Sequence, residues 1–106
     1  MRRFGQVIKV KPEKLKYYLE LHANPWPGVL AAIKAANISN YSIFLLRNDM
    51  LFAYFEYTGS DFEADMKKIA SDEETQRWWK ETDPCQEPLG LKDGEWWHTM
   101  EEIFHC

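Results

Sequence analysis

The chain has 106 residues, with 13 basic and 17 acidic side chains and a net charge of −4; that is room for a single domain over 1–106, one sheet with its helices, and no basic stripe for a phosphate backbone, so no nucleic-acid partner is expected. No apolar run approaches the ~18 residues of a spanning helix, and Met1-Arg2-Arg3 leads straight into a strand pattern rather than a signal peptide, so no membrane association and a cytoplasmic location are expected.

Residues 3–10 alternate loosely, with Phe4, Ile8 and Val10 on one face, and read as a first strand closed by Lys11-Pro12. Pro12 suits the first turn of a helix predicted to run to about Asn24, with Glu13 at its positive end. On it Leu15, Tyr18, Leu19 and His22 follow the i, i+3, i+4, i+7 rule, which sets a phenol beside an imidazole on the face turned inward. Histidine titrates near neutrality and tyrosine can hold or relay a proton, so the two form a candidate proton-transfer pair. Taken alone, such a pair is more often part of a core than of a site.

Asn24-Pro25-Trp26-Pro27 breaks the helix, and Trp26, held extended by the proline after it, either staples the junction or reaches a site. A second helix is predicted from Pro27 to Asn37, with Leu30, Ile33 and Ala36 or Asn37 inward. Residues 40–47 and 50–58 are strand-like runs separated by Asn48-Asp49, the pattern of an antiparallel hairpin. Both faces of this hairpin are apolar: Tyr41, Ile43, Leu45, Leu51, Ala53 and Phe55 oppose Phe44, Leu46, Phe52 and Tyr54. One layer of helices covers one face, so a second copy of the sheet is expected on the other, making a homodimeric barrel with a sugar-sized pocket at one end.

Ser60, with Glu63 three residues on, reads as a capping box for a helix carrying Phe62, Met66 and Ile69. A further helix from Glu73 to about Glu81 holds Trp78 and Trp79, which as neighbours point about 100° apart and cannot share one role. Residues 82–94 read as a loop forming a lid or wall, and 95–104 as the last strand, with Trp96 and His98 on one face and Trp97 on the other. The order is β-α-β-β-α-β with each α region split in two, an α+β, ferredoxin-like arrangement. Aromatic side chains make up 15% of the residues, more than a core of this size needs, so some rings should line a pocket. Cys85 and Cys106 have no metal-type spacing and read as reduced thiols without a catalytic role. Without a Gly-rich phosphate loop, an HExxH or a Cys/His cluster, neither metal nor cofactor is expected.

Tyr18 and His22, the Asn24-Pro25-Trp26-Pro27 run, Asn40-Tyr41, Leu51-Phe52-Ala53 and Gln76-Arg77-Trp78-Trp79-Lys80 together resemble the L-rhamnose mutarotase family over nearly the whole chain. The resemblance implies a dimeric α+β barrel of ferredoxin-like protomers that interconverts the anomers of a 6-deoxy sugar without a cofactor. It implies Tyr18 and His22 as the acid/base pair and Tyr41, Trp78 and Trp79 as walls of the sugar pocket, with Trp26 a further candidate for sugar contact. The chain departs from the family pattern where Ala23 separates His22 from Asn24-Pro25 and where Thr75 replaces a frequent cysteine. Its Glu95-Trp96-Trp97-His98 ending is similar to sequences that look like L-fucose mutarotases, which leaves L-rhamnose and L-fucose both open. Mutarotation needs one group to protonate the ring oxygen and another to take the anomeric hydroxyl proton, and His22 is expected to be the main shuttle. Other readings on this architecture are a monooxygenase or haem-binding protein with His22 as axial ligand, and a sugar-binding module without catalysis.

Overall fold

In the computed structural model, which describes residues 1–106, the central strand β1 (Arg2–Val10) has neighbours on both edges. After a 3-10 turn at Pro12–Lys14 come α1 (Leu15–Ala23), α2 (Pro27–Ala35), β2 (Ile38–Leu46), β3 (Met50–Tyr57), α3 (Phe62–Ser71) and α4 (Glu73–Thr82). A second 3-10 turn, Asp83–Cys85, leads to β4 (Gln86–Glu87) and β5 (His98–Met100). The sheet order is β2-β3-β1-β4, all antiparallel, with β5 also on β1. The architecture is α+β and ferredoxin-like.

Because β3 fills one edge of β1, β4 and β5 share the other: Gln86 and Glu87 pair with Val10 and Lys9, and His98, Thr99 and Met100 pair with Val7, Gln6 and Gly5. The fourth strand of the motif is thus cut in two by an excursion over residues 88–97. The strand expected over 95–104 shrinks to His98–Met100 for reasons at both ends. Upstream, the Trp96 indole is drawn to Gln86; downstream, Glu102 meets Arg3 through side chains, Nε to Oε1 at 2.7 Å, instead of through a ladder.

A bulge in β2 decides which side chains face the helices. Ser39 pairs with Glu56 and Ser42 with Tyr54, so Asn40 and Tyr41 stand opposite the single residue Phe55. Asn40 takes up the extra residue at φ 51°, and its amide donates to Glu56 Oε1 at 2.8 Å. Asparagine tolerates this left-handed conformation better than most residues, and one inserted residue reverses the alternation of everything after it. Ile38 before the bulge and Tyr41, Ile43 and Leu45 after it therefore share the inner face.

The inner face buries two clusters. Ile8, Val10, Leu51 and Cys85 pack around Tyr18; Ile38, Phe55 and Tyr57 pack with Phe4, Phe62, Met66 and Ile69. A polar knot ties the second cluster to the helices: the buried Asp65 carboxylate accepts from the Tyr57 hydroxyl at 2.5 Å and from the Asn37 amide at 3.0 Å. On the opposite, outer face, Phe44 and Met100 stand exposed beside Leu46, and no element covers them.

Three details differ from the expectations. The Ser60–Glu63 capping box does not form; α3 starts one residue later, and the Asp61 carboxylate, a stronger acceptor, caps Ala64 N–H at 3.1 Å. Leu19 and Leu30, expected inward, are exposed, because α1 and α2 bury narrow stripes through Tyr18 and Val29. The hairpin loop is Arg47-Asn48-Asp49, one residue longer than Asn48-Asp49, with Arg47 at φ 56° supplying the turn. No helix is long and apolar enough to cross a membrane.

Leu51 is 1% exposed and belongs to the cluster that joins strand residues to Tyr18 of α1. Leu51→Ala should lower the unfolding free energy by about 2–5 kcal/mol, the range for a cavity in a packed core. Urea titration with an unchanged slope checks this, and a loss well under 1 kcal/mol would show that the cluster is loosely packed.

Candidate active site

Between the inner face and the helices lies a cavity of about 490 Å³. Helix α1 supplies Tyr18 and His22 to its wall, and the phase of the helix is set by adjacent tyrosines: Tyr17 points out to Glu81 while Tyr18, 3% exposed, points in. One turn later His22 stacks on the Tyr18 ring, centroids 4.2 Å apart. The imidazole is also bonded to the helix itself, its Nδ1 lying 2.8 Å from the carbonyl oxygen of Tyr18. A carbonyl only accepts, so Nδ1 carries the proton and Nε2 is the basic nitrogen. Burial lowers the pKa of His22 below the ordinary histidine value, against a smaller opposing effect of that carbonyl. At neutral pH the ring is an uncharged base.

Tyr18 is set up the other way. Burial pushes its pKa far above the usual phenol value, with a further contribution from nearby Tyr41, so the hydroxyl keeps its proton. The Gln86 amide Nε2 lies 3.2 Å from the Tyr18 oxygen, and Gln86 Oε1 lies 3.0 Å from the indole Nε1 of Trp96.

Tyr18, His22, Tyr41, Trp78 and Trp79 all line the cavity, so five of the six residues singled out from the sequence meet at one place. The bulge at Asn40 delivers Tyr41, 39% exposed as a whole, with its hydroxyl pKa pushed up by desolvation. Trp78 is 7% exposed and meets His22 edge-on at 5.2 Å between centroids, while Trp79 is 39% exposed at the rim. The neighbouring tryptophans thus differ in burial, although both line the cavity. Trp26 is not part of the wall; it packs edge-on against the back of Trp78 at 5.1 Å, as a staple of the helix junction would.

The cavity departs from expectation in its place. It lies under the helices on the inner face of one chain, lined by both helix pairs, where a pocket at one end of a two-chain barrel was expected. Within the 82–94 loop read as a lid or wall, Gln86 carries no spacing signal that singles it out, and neither does Trp96, an indole in a strand pattern. Thr82 and Asp83, from the loop read as a lid or wall, do line the cavity. Asp83 is pushed above the usual carboxylate range by burial. No group of three or more His, Cys, Asp or Glu side chains is placed to hold a metal ion. Both cysteines are free thiols, Cys85 buried with its pKa raised mainly by burial and Cys106 exposed.

The arrangement is a neutral base and a protonated phenol facing one apolar-walled space, the equipment for moving two protons on a small neutral molecule. Comparison with known proteins is consistent along the chain. The family model for L-rhamnose mutarotase matches residues 3–106. The L-rhamnose mutarotase of Listeria monocytogenes serotype 4b is 38% identical over 112 aligned positions, covering 99% of this chain and 98% of its own. That of Lactiplantibacillus plantarum is 31% identical over 106 positions with the same coverage. In fold, the chain superposes with a TM-score of 0.77 on the crystal structure of an L-rhamnose mutarotase from Formosa agariphila, at 22% identity and over 100% of this chain.

The depressed pKa of His22 makes stability depend on pH with a definite sign. As pH falls, the unfolded chain takes up the proton first, near pH 6.5, so this contribution is full above that value and is lost as pH falls through the lower folded pKa. The unfolding free energy of the wild type relative to His22→Gln should therefore decline between pH 7.5 and pH 5. A difference that grows on acidification would mean that the folded protein favours the imidazolium.

Proposed function

The chain belongs to the L-rhamnose mutarotase family, and from that premise we propose that it interconverts the α and β anomers of a free 6-deoxyhexose, L-rhamnose first, with L-fucose as the other sugar to be tested. The observation that carries this reading is the complementary state of the pair: a neutral His22 with Nε2 free and a Tyr18 hydroxyl that keeps its proton.

In this mechanism His22 Nε2 takes the proton of the anomeric hydroxyl while Tyr18 gives its proton to the ring oxygen. The bond from C1 to the ring oxygen breaks and an open-chain aldehyde forms, with the freed hydroxyl at the other end. Rotation about C1–C2 presents the opposite carbonyl face. On closure that hydroxyl returns its proton to Tyr18, and His22 gives its proton to the new anomeric oxygen, so the enzyme ends unchanged. Each positioned carrier is worth typically about 10²–10⁴-fold, enough for a reaction that already proceeds in water. Tyr41, Trp78 and Trp79 hold the sugar, the rings covering its apolar face and C6 methyl.

We further propose that two copies associate through the outer sheet face. Phe44 is 62% exposed, Leu46 50% and Met100 40%, an apolar surface larger than scattered single residues would make. The free thiols suit work in the cytoplasm. Light scattering at micromolar concentration should read twice the chain mass, and a persistent monomer would contradict the association.

Saturation transfer between the anomeric proton signals of L-rhamnose, and in parallel of L-fucose, measures the exchange directly. Wild-type protein should speed it well beyond buffer for at least one sugar. His22→Ala and Tyr18→Phe should each lower turnover by about 10²-fold or more while the fold is kept. The wild-type rate should fall as pH drops through a midpoint below 6.5. Exchange of both sugars at the buffer rate would overturn the reading.

A further inference from the structure

The excursion over residues 88–97 does more than interrupt the fourth strand, since it brings the Trp96 indole onto Gln86, itself 5% exposed in the cavity wall. An indole nitrogen can only donate, so the atom facing it must be the amide oxygen of Gln86. That choice turns the amide nitrogen toward Tyr18, 3.2 Å from its hydroxyl oxygen. An amide nitrogen also only donates. The Tyr18 oxygen must therefore accept, and its own proton is left to point elsewhere. Every direction in the row follows from its first member.

Resting on the reading of Tyr18 as the acid, we propose that Gln86 is a positioning residue that aims the Tyr18 proton into the cavity, and that Trp96 fixes Gln86 in that orientation. Gln86 acts in two ways. Its N–H fills one side of the phenol oxygen, so the O–H must point to the other, and it donates to the oxygen that gains negative charge when the proton leaves. The second effect opposes the burial that raises the Tyr18 pKa. Without the amide, the buried phenol would hold its proton more tightly still. Trp96 carries the dependence outward, so the seating of the 88–97 excursion, whose Trp96 and Trp97 also line the cavity, sets whether the acid is correctly aimed.

Two substitutions separate the parts. Gln86→Met keeps the length of the side chain and removes both polar groups; Gln86→Glu keeps an acceptor for Trp96 and removes the donor to Tyr18. Both should lower kcat by about 10- to 100-fold, the usual effect of losing a partner that orients a working group, with KM moving less than about threefold. In a Tyr18→Phe background neither should cost more than about twofold further, because the hydroxyl they serve is gone. The indole N–H resonance of Trp96, assigned with Trp96→Phe, should shift in Gln86→Met and stay near its wild-type position in Gln86→Glu. Full kcat in Gln86→Met, or a loss that persists undiminished beside Tyr18→Phe, would overturn the positioning role. Should wild-type protein exchange neither sugar, the mutarotase reading falls, and an unmoved Trp96 resonance in Gln86→Met would overturn the hydrogen-bonded row independently of turnover.

Discussion

The hydrogen bond from His22 Nδ1 to the carbonyl of Tyr18 is the constraint on which the account of this site rests. It runs within one helical turn, between residues four apart, so no loop or partner has to be ordered to make it. The acceptor is a backbone carbonyl with no proton of its own to offer, which leaves one tautomer. The same geometry stacks the imidazole on the phenol, and burial moves their pKa values in opposite directions, histidine down against the smaller opposing effect of that carbonyl and tyrosine up. A base that is uncharged and an acid that is fully protonated at neutral pH follow from one helical contact and its desolvation.

The rest of the fold serves to close a cavity over that pair. A single inserted residue in β2 turns Tyr41 inward, and the asparagine at the insertion is one of the few residue types that accept the required backbone. The division of the fourth strand frees residues 88–97 to leave the sheet and return with Trp96 and Trp97 as walls. Helix α4 presents consecutive tryptophans, one buried against His22 and one at the rim. Bulge and interruption are irregularities of a regular motif, and both sit where the cavity is built.

Much of this was legible because it depends on local periodicity. The stripe through Leu15, Tyr18 and His22, the hairpin, and the placement of Trp78 on a helix follow from spacing alone, and the element order fixed the ferredoxin-like topology. What was not legible depends on pairing across the sheet. Nothing in Asn40-Tyr41 announces that two residues will face one, and the truncation of the last strand follows from hydrogen bonds of Trp96 and Glu102 to residues 10 and 99 positions away. Leu19 and Leu30 fit the helical pattern yet stay exposed, since a stripe says which residues could be buried and the neighbouring element decides how many are. Trp26 went to the back of Trp78 for the same reason: a proline after it set its backbone, and only packing could set its ring.

His22, a lining residue of the cavity, is a neutral imidazole with the proton on Nδ1 and the lone pair on Nε2. Nitrogen-15 NMR of the histidine ring, through long-range proton–nitrogen correlations assigned with His22→Gln, reads this state atom by atom. At pH 7 one nitrogen, Nδ1, is expected to be protonated and the other, Nε2, unprotonated, with the ring becoming doubly protonated only below pH 6.5. A proton on Nε2 at pH 7, or an imidazolium persisting above pH 6.5, would contradict it.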